Sequence, residues 1–252
     1  MLSITLLNIV KSFQIKNAPC PKHKLFAFIG DIEQLIDQKE HWDETICSWA
    51  IKNGQLECLK YLLESSHDCS FAWNESACSS AAHYGQLECL KYAHENKCPW
   101  NNFVCVSAAY NGHLQCLKYA YEHGCPWDEY ACSSAANAGQ LECLKYLRNK
   151  EVPCPWNSSA CNRASAKGHI EVLKWLRNQT PPCPWDENTC MCAAEYGQLE
   201  CFKYAYENGC QIDISRCLEV AKENNHQHIL EYLGTQFFQL FIWFIVNTLQ
   251  NI

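Results

Sequence analysis

Two residue types in this chain could carry chemistry by number alone, 20 cysteines and 10 histidines among 252 residues. Thiolates and imidazoles hold zinc when they come as closely spaced pairs, Cys-x2–4-Cys with a second such pair. No such pair of pairs occurs, and the one tight cluster is Cys190-Met191-Cys192. The cysteines fall instead at three recurring places. One follows a Trp by five residues (Cys78, Cys105, Cys132), one sits in a Leu-rich run (Cys89, Cys116, Cys143), and one precedes a Pro (Cys98, Cys125, Cys154). Free Cys packs as a small hydrophobe, so this regularity predicts reduced, buried packing residues and a reducing compartment. Disulfide and metal-binding alternatives stay open, including a local bridge between non-equivalent cysteines such as Cys125 and Cys132. His113 and His169 share one recurring slot after a Gly, which marks a structural role. A phosphate-cradling Gly-rich loop, His-Glu-x-x-His and Gly-x-Ser-x-Gly are all missing from the sequence, so no catalytic residue and no cofactor is assigned.

The elements that position these side chains repeat. Cys-Pro-Trp stands at Cys98-Pro99-Trp100, Cys125-Pro126-Trp127, Cys154-Pro155-Trp156 and Cys183-Pro184-Trp185, and the steps from Trp42 through Trp73, Trp100, Trp127 and Trp156 to Trp185 are 31, 27, 27, 29 and 29 residues. A fixed period in this range means one small unit copied and stacked. A second motif, Gly-Gln/His-Leu-Glu/Gln-Cys-Leu-Lys-Tyr, runs from Gly54, Gly85, Gly112 and Gly139, with variants from Gly168 and Gly197. Worn copies begin at Gly30 and lie around Asn225 to Leu233. Worn outer units fit a stack whose ends face water.

In the unit from Trp127 to Pro155, Asp128 is an N-cap, and Trp127 with Cys132 forms a hydrophobic staple. Ala131, Cys132, Ala135 and Ala136 make the small face of a first helix that ends at Gly139. Leu141, Cys143, Leu144 and Leu147 make the apolar face of a second helix. Glu142 and Lys145 face outward, and Gly124 ends the second helix of the preceding unit. Each Trp is expected to fill the seam between units.

These motifs resemble the ankyrin repeat. The Gly-His/Gln-Leu-Glu-Cys-Leu-Lys-Tyr-Leu run is similar to its second helix and Cys-x-x-Ala-Ala-x-x-Gly to its first, over about residues 21–233. Tyr130-Ala131-Cys132-Ser133 stands where the family has Thr-Pro-Leu-His, and the repeat is shorter than the family's, with the missing residues between Cys125 and Cys132. The resemblance implies an all-α fold, an ankyrin-like α-solenoid of stacked helix-turn-helix repeats with shortened or absent β-hairpin fingers. Short repeats with a Cys-Pro-Trp signature resemble those of large amoeba-infecting DNA viruses and of protists. The expected organisation is a capping segment over 1–20, a repeat array over 21–234 and a hydrophobic tail over 235–252.

That class implies a non-catalytic scaffold for a protein partner, a host protein if the source is a virus. The positions three, seven and ten residues after each Trp lie on one stripe of the first helix and differ between copies: Phe103, Ser107 and Tyr110, then Tyr130, Ser134 and Asn137, with Arg163 beside Ser159 and Ala166 in the next unit. The alternative for the aromatics is packing against the neighbouring repeat. Formal net charge is -7, from 20 basic and 27 acidic residues, which argues against a nucleic-acid or anionic-membrane surface. Lys60, Lys91, Lys118, Lys145, Lys174 and Lys203 line up, but the acidic row Glu57, Glu88, Glu142, Glu171 and Glu200 runs beside them, the pattern of a solvated face. Met1 to Val10 lacks the marks of a signal peptide. The apolar run 237–246 is too short for a membrane span, which needs roughly 20 apolar residues, and is read as a cap on the last repeat, with a membrane tether or a self-association patch as the alternatives. A cysteine-dependent metal or redox sensor is the remaining alternative function.

Overall fold

The computed structural model describes residues 46–65 and 75–236. The copy beginning at Gly30, Trp42, Trp73, the segment 1–20 and the apolar run 237–246 lie outside the described residues. Fourteen helices and no strand occur among the described residues. The chain divides into two compact units, Met1–Ala72 and Trp73–Ile252.

In the first unit, α1 (Ile46–Lys52) and α2 (Leu56–Ser65) form one helix pair joined by Gly54. Cys47, Ala50, Ile51, Cys58, Leu59 and Leu62 are its buried face.

The second unit contains α3 (Glu75–His83), α4 (Leu87–Glu95), α5 (Asn102–Tyr110), α6 (Leu114–Glu122), α7 (Glu129–Asn137), α8 (Leu141–Arg148), α9 (Ser158–Ala166), α10 (Ile170–Arg177), α11 (Glu187–Glu195), α12 (Leu199–Glu207), α13 (Ile214–Glu223) and α14 (227–236). Successive pairs stack, so that α3, α5, α7, α9, α11 and α13 form one layer and the even-numbered helices a second. The first layer is the more closely packed. Its small faces explain this: Ala131, Cys132, Ala135 and Ala136 are completely buried, and no side chain there keeps the neighbouring helix away. Leu144, Leu147, Leu173, Leu176 and Phe202 fill the space between the layers.

The helix ends follow from the motif. Asn101, Asp128, Asn157 and Asp186 each accept a hydrogen bond from the backbone N–H two residues on, at 3.0 to 3.1 Å. Gly139 has φ +72°, and Gln140 N–H reaches back to Ala135 at 2.8 Å, closing a Schellman turn. A Cβ on Gly139 would also stand 2.8 Å from the His169 ring of the next repeat. That ring hydrogen-bonds through Nε2 to the Asn137 carbonyl at 3.2 Å, and His113 and His226 do the same to His83 and Glu195. The Gly-His slot is thus a staple between repeats.

Candidate functional site

The cysteines build the interior. Eighteen described cysteines are free, and all but Cys192 are buried. Four turn thiols donate to the backbone carbonyl of the cap residue of the preceding first helix: Cys125 to Asn101 at 3.2 Å, Cys154 to Asp128 at 3.1 Å, Cys183 to Asn157 at 3.4 Å and Cys210 to Asp186 at 3.1 Å. The first-helix cysteines meet the same thiols from the other side. Hydrogen bonding to Cys125 and burial push Cys105 far above the ordinary thiol range, and Cys132 and Cys161 are raised in the same way by Cys154 and Cys183. So Cys125 and Cys132 are not each other's partners. Cys105 with Cys125, and Cys132 with Cys154, are the neighbouring thiols. Burial also raises Cys89, Cys116, Cys143 and Cys201 to about 11. Buried, protonated thiols make poor nucleophiles and poor metal ligands. Among the described residues, no three His, Cys, Asp or Glu side chains gather as a metal-holding group.

The tryptophans correct the expectation of interior filling. Trp100, Trp127, Trp156 and Trp185 are half-buried. Trp127 stacks on Tyr121 at 4.0 Å, and Trp100 stacks on His94 at 3.9 Å. In the two units with the longer turn, a guanidinium takes that place: Arg148 lies 3.8 Å over Trp156 and Arg177 3.9 Å over Trp185. Each of these arginines also donates to the carbonyl of the following turn cysteine, Cys154 or Cys183. Trp156 and Trp185 still span the seam: each lies under the arginine of the preceding unit and meets a second-helix ring of its own unit edge-on, Trp175 and Tyr204. Its other edge faces water because the ring lies over the end of a helix, outside the two layers.

The stripe on the first helices is mixed. Phe103 is 60% exposed, Tyr130 55% and Tyr110 43%. Phe103 and Tyr130 hold the same position on adjacent helices, a spacing of about 8–10 Å for packed helices. Arg163 is exposed, and Ser107 and Asn137 are half-buried. Ser134 departs from the expected exposed stripe: it is buried, because the close approach of α5, α7 and α9 covers so short a side chain. Tyr84 and Tyr196, at the first-helix ends, are exposed aromatics that the three-seven-ten pattern passed over. Their slot also varies between copies (Tyr84, Asn111, Ala138, Lys167, Tyr196), and that variation was the available signal.

On the second layer of the second unit, the Lys and Glu rows are paired as neighbours three apart: Lys91 with Glu88, Lys145 with Glu142, Lys174 with Glu171 and Lys203 with Glu200; within the first unit, Lys60 pairs with Glu57 in the same way. These exposed pairs contribute about 0–1 kcal/mol each. Lys118 has no such acid, because Gln115 stands at that position.

Ankyrin-repeat models match residues 47–94 and 105–182, together half of the chain. The chain therefore belongs to the ankyrin-repeat family. A crystal structure of the human ASB11 ankyrin repeat domain superposes with a TM-score of 0.53 at 17% identity, over 73% of this chain and 96% of that one. Among curated proteins, none matches the sequence. Ankyrin repeats are in general protein–protein interaction modules and typically lack catalytic activity. No described helix is long and apolar enough to cross a membrane.

Proposed function

We propose that this chain is a non-catalytic scaffold that holds a protein partner on the layer of first helices. The observation that carries the reading is the contrast on α5 and α7. Cys105, Ala108, Cys132 and Ala135 are completely buried, while Phe103, Tyr110 and Tyr130 on the same helices stay exposed. A framework this regular has no packing need for large aromatics at those places, and exposed aromatics are the side chains that anchor interfaces. Ser107, Asn137 and Arg163 supply a polar surround. The shortened turns put the recognition load on the helices. The array occupies 21–234 between a capping segment and the apolar tail, and its reduced, buried cysteines suit a cytoplasmic setting.

The test is proximity labelling in the native cell with the wild-type chain and with a Phe103→Ala/Tyr130→Ala variant. The expected result is loss of a defined set of labelled proteins with an unchanged helical circular dichroism spectrum. An unchanged set of partners would show that the surface is wrong.

A further inference from the structure

The outer layer carries a feature that the framework does not need. An open groove of about 520 Å³ runs across α6, α8 and the end of α10. Leu114, Tyr146 and Trp175 give it apolar walls, and Lys118, Lys145 and Lys150 give it a cationic rim. Lys145 is paired with Glu142. Lys118 and Lys150 have no acidic partner among the described residues, and both lie against rings instead: Lys150 Nζ is 3.9 Å from the Tyr146 ring centre and 5.3 Å from that of Tyr121, and Lys118 Nζ is 5.9 Å from Tyr146. The two free charges have separate origins. Lys118 is free because its copy of the repeat carries Gln115 where the others carry Glu, and Lys150 belongs to the longer turn after α8. Beneath them, Tyr146 Oη is a buried hydroxyl with no hydrogen-bond partner. Burial, with Glu122 nearby, raises its pKa to about 12, so it keeps its proton as a donor.

We infer that this groove is a second interaction surface, which docks a short acidic segment of a protein partner. Carboxylates on that segment pair with Lys118 and Lys150, and an apolar side chain between them lies against Leu114 and Trp175. A carboxylate that draws Lys150 off the ring also offers Tyr146 Oη the acceptor it lacks. The charge complementarity is local. Glu142 lines the groove, Glu122 acts on Tyr146 from nearby, and Glu171 and Glu200 continue the row on the next two units. A uniformly charged polyanion such as nucleic acid would run onto these acids, whereas a peptide with a few placed carboxylates ends before them. The surface lies on the layer opposite the first-helix aromatics and stands or falls independently of them.

Fluorescence anisotropy with a fluorescein-labelled peptide of four glutamates around one leucine tests the assignment, at about 0.1 M salt where the Debye length is about 10 Å. The wild-type chain should bind. Lys118→Glu/Lys150→Glu should weaken binding at least tenfold. Gln115→Glu, which restores the acid carried by neighbouring repeats, should weaken it several-fold, and Phe103→Ala/Tyr130→Ala should leave it unchanged. None of the five positions is buried, and an unchanged helical spectrum confirms folding of each variant. Three results would overturn the inference: no binding by the wild-type chain, equal binding by the charge-reversed variant, or tighter binding of a labelled single-stranded oligonucleotide. Self-association of the chain in sedimentation that the charge reversal abolishes would overturn it too, by making a second copy the occupant.

Discussion

The thiol of Cys154 donates to the backbone carbonyl of Asp128 at 3.1 Å, tying the turn that ends one repeat to the cap of that repeat's first helix. The same carbonyl accepts the Ala131 N–H at 3.0 Å, so the thiol adds a second bond to an acceptor already in use. Cys154→Ala removes that bond and leaves a small void, and should cost about 1–2 kcal/mol. Cys154→Ser keeps a donor in place and should cost less. Urea unfolding of the two variants checks the order, and a Ser variant weaker than Ala would mean that the sulfur acts by volume alone.

The helix pairs were legible in the sequence because each end of each helix is written in a residue type with one physical job. Asp128 caps, Gly139 takes a left-handed turn, and the Ala and Cys face admits a close neighbour. The exposed aromatics Phe103, Tyr110 and Tyr130 were legible because they vary where the framework does not. Ser134 was not, since a stripe drawn on one helix takes no account of how closely the next helix lies. The tryptophans misled for a related reason. A periodic Trp reads as core, but where its ring settles depends on the residue six or eight places before it. His94 and Tyr121 stand six before their Trp, and Arg148 and Arg177 stand eight before theirs.

Stability should fall in alkali before it would for a chain with exposed thiols. In the folded protein, burial holds Cys89, Cys116, Cys143 and Cys201 at about 11 and Cys217 at about 12, whereas an unfolded thiol titrates near 8.5. Below the unfolded value both states keep the proton and the contribution is complete. Above it the unfolded chain binds fewer protons than the folded one, so stability declines as pH rises from about 8.5 through about 11. The urea midpoint in reductant should drop between pH 8 and pH 10, and the drop should shrink in Cys89→Ala/Cys143→Ala. A midpoint flat across that interval would contradict the burial of these groups.

Lys97 is a non-glycine residue in a left-handed conformation, φ +63°, at the position where Gly124 and Gly209 have φ +79° and +78°. An L-residue there carries roughly 1–2 kcal/mol of strain. Lys97 is exposed, so its side chain offers little in return. Lys97→Gly should stabilise the chain by up to about 1 kcal/mol after the added freedom of the unfolded glycine is counted. That corresponds to a thermal midpoint higher by roughly 2–4 °C. The reverse change, Gly124→Lys, should lower it. Both shifts are read in one set of thermal melts, and a lower midpoint for Lys97→Gly would refute the strain.

Arg148 makes two contacts at once. Its guanidinium covers the Trp156 ring at 3.8 Å while one nitrogen donates to the Cys154 carbonyl. A lysine cannot do both, because its ammonium is a point charge without a plane to stack. Arg148→Lys should therefore cost about 1 kcal/mol although the charge is kept. Trp156→Ala should cost about 2 kcal/mol, less than the about 3–5 kcal/mol of a fully buried Trp, because the ring is half in water. The two side chains act as one contact, so the double variant should lose less than the sum of the single losses, by about 0.5–1 kcal/mol. A double-mutant cycle in urea measures that difference directly. Strict additivity would mean that the arginine stabilises the turn through Cys154 alone, with the indole a bystander.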